Sequence, residues 1–129
     1  MSKKAIQIED APAPVGSYSQ AILHGNLLFI SGQIPLNPKT GQIEQANIQE
    51  ATNRVMLNIK ALIESAGMRM NQIVKCSIFL KDLGDFSTVN EIYSSYFNDV
   101  YPARETVEVS KLPLDVTIEI SCIAVKDDK

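Results

Sequence analysis

Two charged residues late in the chain stand inside apolar runs, where charge is out of place. Arg104 follows Pro102 by two residues in YPARETVEV, and Glu119 lies between Ile118 and Ile120 in VTIEISC. Side chains alternate faces along a strand. Arg104, Thr106 and Glu108 therefore share one face against Val107 and Val109, while Thr117, Glu119 and Ser121 share one against Val116, Ile118, Ile120 and Cys122. Carboxylates are seldom buried without a partner. One reading makes Arg104 and Glu119 an ion pair, within the sheet or across an interface between copies. The other has the planar fork of Arg104 gripping the carboxylate of a small ligand, with Glu119 handling a proton or a water beside it. Spacing does not choose between them.

Other chemistries lack their residues. The single histidine, His24, falls in a predicted hairpin turn beside Gly25, a poor position for a nucleophilic triad. One histidine and two distant cysteines cannot supply a zinc site, and the carboxylates show no metal-loop spacing. The six glycines are scattered, with no G-x-x-x-x-G-K phosphate loop. A formal net charge of -3 gives no uniformly basic surface to displace counterions from nucleic acid. Cys76 and Cys122 each lie in an apolar run and read as buried free thiols, which fits a reducing, cytoplasmic setting. No window has the pattern of a signal peptide or a membrane span, so neither export nor a membrane partner is expected.

The elements that must carry these residues follow from periodicity. A chain of 129 residues suits one domain, taken here as residues 1–129. A short strand near Lys4 to Ile8 precedes the loop EDAPAPVG, broken by two prolines and a glycine. Two strand-like runs, Ser19 to Gly25 and Asn26 to Ile34, flank a glycine suited to a tight hairpin, and PLNPKTG closes the second. From Asn47 the period changes: Ile48, Ala51, Val55, Ile59, Leu62, Ile63 and Ala66 form the stripe of an amphipathic helix. Asn47 is placed to cap it, Glu50 to complete a capping box and Gly67 to end it. Ile73 to Leu80 reads as a strand, and Asp85 to Phe97 as a second helix with Phe86, Val89, Tyr93, Tyr96 and Phe97 along one side. Strands near Arg104 to Val109 and Asp115 to Val125 finish the pattern βββαβαββ.

This order predicts an α+β fold: a mixed sheet of about six strands with two helices on one face and parallel neighbours at the strand-helix-strand crossovers. The strands are apolar on both faces. Leu27 and Phe29 alternate with Leu28 and Ile30, and Val74, Ile78 and Leu80 with Ile73 and Phe79. The second face needs a cover, and a second copy of the chain supplies it, placing any site in a cleft between subunits.

The segments YSQA (Tyr18 to Ala21), ISGQIPLNPKTG (Ile30 to Gly41) and PARETVEVSKLP (Pro102 to Pro113), followed by IEI at Ile118 to Ile120, resemble the RidA (YjgF) family of enamine/imine deaminases in order along the chain. The resemblance implies a chorismate-mutase-like fold and a homotrimer with sites at subunit interfaces. It also implies cofactor-free, metal-free hydrolysis of 2-aminoacrylate, 2-iminobutanoate and similar imines to 2-keto acids and ammonia. Carried over, Arg104 binds the substrate carboxylate, Glu119 positions water or shuttles a proton, and Tyr18 orients the ligand. Ser31, Gly32, Asn90 and Thr106 complete the pocket. Taken singly, Tyr18 could equally be a core or interface aromatic, Ser31-Gly32 a strand irregularity and Asn90 an exposed helical polar residue; their ordered set carries the reading. The chain departs from the pattern at Thr106, where many relatives have cysteine, at Glu105, where they have a small residue, and at Ser17, where proline is frequent. Alternation turns Glu105 to the face opposite Arg104. Two rival functions stay open: a binding protein that holds a 2-keto acid or amino acid without turnover, and an RNA-cleaving translation inhibitor.

Overall fold

Six strands form one sheet in the order β1-β2-β3-β6-β4-β5. The computed structural model describes residues 2–98 and 100–127. Along the chain the elements are β1 (Lys4–Ile6), β2 (Ala21–His24), β3 (Leu27–Gln33), α1 (Ile48–Ser65), β4 (Ile73–Leu80), α2 (Phe86–Ser94), β5 (Ala103–Glu108) and β6 (Ile118–Val125). Short 3-10 turns at Leu83–Asp85 and Pro113–Asp115 stand where the second helix and the last strand were expected to begin. Pro113 starts the second turn readily, and Asp115 within it takes a φ of 56°, which a strand does not contain, so β6 begins only beyond it, at Ile118.

Each element has a local cause. Gly25 takes a φ of 62° between β2 and β3, the left-handed position a two-residue hairpin needs. The Asn47 side chain accepts from the Glu50 amide at 2.8 Å, and Glu50 Oε1 accepts from the Ala46 amide at 2.8 Å. The reciprocal bond thus reaches one residue beyond the cap. At the other end of α1, Gly67 has a φ of 74°. Its amide donates to Glu64 O at 3.0 Å, and that of Met68 to Ile63 O at 3.1 Å, a paired closure that satisfies two free carbonyls.

The sheet is mixed, with β4 and β5 parallel on either side of the α2 crossover and the other pairs antiparallel. The α1 crossover differs from expectation. It links β3 and β4, which run the same way, yet β6 lies between them and pairs antiparallel with both. The last strand therefore fills the centre of the sheet. Ile118, Ile120, Cys122 and Ala124 of β6 are buried with Leu28, Ile30, Ile78 and Leu80 beneath Val55, Met56, Ile59, Leu62 and Ile63 of α1. Cys76 and Cys122 sit opposite one another in this layer as free, buried thiols.

Strict alternation fails in β4. The register shifts between Ile73 and Lys75, a bulge that puts Ile73 in the core and turns Val74 out, 46% exposed, instead of grouping Val74 with Ile78 and Leu80. The face away from the helices carries Phe29 and Val107, both about two-fifths exposed, with Phe79 and Ile123 half-buried between them. No other layer of the described residues covers it. Glu105 lies on this face, as alternation predicts: Lys75 Nζ stands 2.9 Å from it and Ser77 donates to its other oxygen, which together hold its pKa below the ordinary range. No helix of the described residues is long and apolar enough to cross a membrane.

Candidate functional site

The sequence-derived residues form two groups, one on each face of the sheet. Arg104 pairs in register with Cys76, and Glu119 with Phe79. Cys76 faces the helices and Phe79 faces away, so Arg104 and Glu119 point to opposite sides. Two strand steps and three residues separate them, roughly 14 Å between Cα atoms. An ion pair between them within one sheet is therefore ruled out.

The first group is built by α2 against β5. Phe86, Asn90 and Tyr93 follow one another at i, i+4 and i+7, one stripe of the helix facing Arg104. Asn90 Oδ1 accepts from Arg104 Nη1 at 2.7 Å. The Phe86 and Tyr93 ring centroids lie 5.3 and 5.0 Å from the guanidinium carbon, within cation–π range. Among the described residues no carboxylate lies within 4.0 Å of Arg104, so its charge is oriented and left unneutralised. An open cavity of about 530 Å³ lies in front, lined by Arg104, Asn90, Tyr93, Ser94, Tyr101 and Pro102. Thr106 shares this face of β5, half-buried, and its shielded hydroxyl has no hydrogen-bond partner among the described residues.

The second group is built by a bulge in β3. Register runs from Ile30 opposite Cys122 to Gln33 opposite Ile120, so three residue steps on β3 match two on β6 and the extra residue falls at Ser31-Gly32. Ser31 Oγ donates to Ser19 O at 2.6 Å, tying the bulge to the loop that carries Tyr18. The Glu119 carboxyl lies directly on Gly32: a β-carbon added there would overlap Oε2 and stand 2.7 Å from Cδ. Only glycine leaves that space. Desolvation pushes the Glu119 pKa above its ordinary value of 4.5. Tyr18, Ser31, Gly32 and Glu119 line a cavity of about 360 Å³ with apolar side chains from both flanking loops.

Gly32→Ala is therefore expected to abolish most turnover while the fold survives. The flexible Glu119 side chain swings away to admit the methyl group, and circular dichroism of the variant should match wild type while kcat/KM falls about a hundredfold, as for loss of the carboxyl itself.

The family model described as endoribonuclease L-PSP matches residues 8–126. The chain belongs to that family, known also as RidA or YjgF. A RutC family protein of Pyrococcus abyssi is 53% identical over 98% of this chain and 100% of its own length. The 2-iminobutanoate/2-iminopropanoate deaminase of Escherichia coli K12 is 47% identical over 95% of this chain and 98% of its own. The crystal structure of E. coli TdcF with bound serine superposes with a TM-score of 0.92 at 40% identity, covering 96% of this chain and 99% of that one.

Within this family fold, three supporting residues escape a reading based on single positions. Phe86 and Tyr93 read as core aromatics, yet they flank the guanidinium. Their spacing around Asn90 was the available signal. Gln20, only 2% exposed, reads as the polar member of a motif and proves to be a clamp. Its Oε1 accepts from Ile8 N at 2.7 Å and its Nε2 donates to the carbonyls of Ile8, Ala11 and Pro12, holding the proline-broken loop over the Glu119 cavity.

Proposed function

We propose that the chain hydrolyses enamines and imines of 2-amino acids, such as 2-aminoacrylate and 2-iminobutanoate, to 2-keto acids and ammonia. The site is completed by a second copy, with the arginine of one subunit facing the carboxyl of its neighbour in a homotrimer. The observation that carries this reading is the division of the site. An oriented, unpaired arginine occupies one face and a desolvated carboxyl the other. Only contact between copies brings the two kinds of group to one small molecule, and the uncovered apolar face around Phe29 and Val107 gives copies a reason to associate. The names of the E. coli deaminase and of serine-bound TdcF support a ligand with an α-carboxylate and an α-nitrogen.

The chemistry asks little of the protein. The fork of Arg104 takes the substrate carboxylate and fixes the plane of the C=N bond. Glu119, protonated to higher pH than an ordinary glutamate, gives its proton to the methylene carbon of an enamine, forming the iminium. As the carboxylate, it then accepts a proton from the water that adds to the iminium carbon. Returning that proton to nitrogen lets the C–N bond break as the new hydroxyl gives its own proton back to Glu119, so one water is consumed, ammonia and a 2-keto acid leave, and the acid is reset. No covalent nucleophile is needed, because an iminium carbon is already electrophilic.

Two dead variants test both the activity and its location. Arg104→Ala and Glu119→Gln chains are each expected to leave 2-aminoacrylate, generated by a serine dehydratase, decaying at its spontaneous rate. Unfolded together and refolded as a mixture, they regain pyruvate release, because some interfaces then hold an intact arginine against an intact glutamate. Wild type without acceleration sinks the deaminase reading, and saturable keto-acid binding alone supports the carrier reading that serine-bound TdcF also suggests. RNA cleavage without imine turnover would favour the activity in the family's description. Active wild type whose mixed variants stay dead would place the whole site within one chain.

A further inference from the structure

Leu114 occupies a conformation that leucine disfavours, in a place that does not require leucine. Its φ and ψ are 54° and 23°, the left-handed region where the β-carbon crowds the backbone, and Asp115 follows with a φ of 56°. The surrounding turn is held firmly. The Asp115 amide donates to Leu112 O at 3.1 Å and that of Val116 to Pro113 O at 3.2 Å; Lys81 Nζ reaches Asp115 Oδ1 at 3.3 Å, and Val116 is fully buried. Leu114 itself is 64% exposed, so core packing does not explain an aliphatic residue where glycine or asparagine would fit without strain. Its side chain lines the Glu119 cavity instead.

The same cavity is walled by Val15, 88% exposed, by Leu36 and by Tyr18, and Glu119 is the only charged side chain lining it among the described residues. In the proposed assembly, a ligand whose carboxylate is held by the arginine of a neighbouring copy would bring its α-carbon to Glu119 and its remaining carbon chain against this wall. An aliphatic chain gains burial there. An acidic one would bring a second negative charge beside a carboxyl in an apolar setting.

We propose that Leu114 is a specificity-determining residue: held by the left-handed turn at the mouth of the Glu119 cavity, it contacts the substrate's carbon chain and selects aliphatic 2-imino acids over the smallest and the acidic ones. The proposal rests on the reading of the site as an imine deaminase, and its test separates the two. Leu114→Gly and Leu114→Asn both suit the backbone at this position, so both fold, and gel filtration should show the wild-type assembly. Imines are generated in situ from leucine, alanine and glutamate by amino-acid oxidases or dehydrogenases. Wild type should favour the leucine-derived imine. In both variants kcat/KM for that imine falls about tenfold, the scale on which hydrophobic pockets discriminate, while the value for the alanine-derived imine stays within about twofold. Equal loss on both imines, no loss on either, or a changed assembly would overturn the proposal.

Calorimetric binding of 4-methyl-2-oxopentanoate and pyruvate supplies a readout that needs no turnover. Tighter binding of the longer acid to wild type, lost in Leu114→Gly, sustains the assignment even if no imine is hydrolysed, in which case the deaminase reading alone has failed. Equal binding of the two acids to wild type refutes it.

Discussion

Arg104→Ala should lower kcat/KM for 2-imino acids about a thousandfold, close to 4 kcal/mol of transition-state binding, with little change in the melting temperature. Among the described residues the Arg104 side chain makes one hydrogen bond, to Asn90, its guanidinium carbon lies 5.3 and 5.0 Å from the Phe86 and Tyr93 ring centroids, and no carboxylate neutralises it. Its removal therefore leaves no buried counter-charge stranded. A ligand carboxylate, by contrast, loses both arms of the fork at once. Arg104→Lys separates charge from geometry. An ammonium keeps the attraction but can neither present a planar face to the nearby rings nor offer two parallel donors, so about a thirtyfold loss is expected, concentrated in KM. Progress curves of keto-acid release over a range of imine concentrations measure both, and unchanged kinetics in Arg104→Ala would remove the arginine from the site.

Glu119→Gln should cost turnover a hundredfold or more, the scale of general acid–base catalysis, and should also change how rate and stability depend on pH. Desolvation raises the folded-state pKa of Glu119 above the ordinary 4.5. The ionised carboxylate is therefore a burden on the folded chain at pH above that raised value. The burden shrinks as pH falls through it and is gone below 4.5, where folded and unfolded chains are both protonated. Glutamine carries no such burden. Urea melts should show Glu119→Gln more stable than wild type at about pH 8, with the difference closing toward about pH 4. In wild type the enamine-protonating step should weaken as pH rises through the same pKa, and in the variant this limb of the pH–rate profile should vanish. A difference in stability that persists unchanged to low pH would mean that Glu119 is solvated as an ordinary surface carboxyl.

Much of this arrangement is legible in the sequence because it depends on local pattern. The α1 stripe, the Asn47 cap, the Gly67 closure and the Gly25 hairpin each follow from residue type at fixed spacing, and the structure contains all four. Bulges are less legible, since nothing in IVKCSIFL marks the extra residue that sends Ile73 inward and Val74 outward. Strand order is harder still. That β6 lies between β3 and β4 is decided by burial, because its alternating Ile118, Ile120, Cys122 and Ala124 are the strand best suited to lie beneath α1.

The face chosen by β5 runs against ordinary hydrophobic logic. Val107 points to the uncovered side and Arg104 toward the helices, since α2 offers an amide and two rings that suit a guanidinium better than a valine. Alternation separates the two sets of side chains in this strand. Which set meets the helix depends on a partner element about ten residues earlier.

On the proposed reading, a sheet standing between cation and acid would leave each chain silent by itself. Output would then scale with more than the first power of abundance while the protein is dilute, and level to simple proportionality once subunits are saturated with one another.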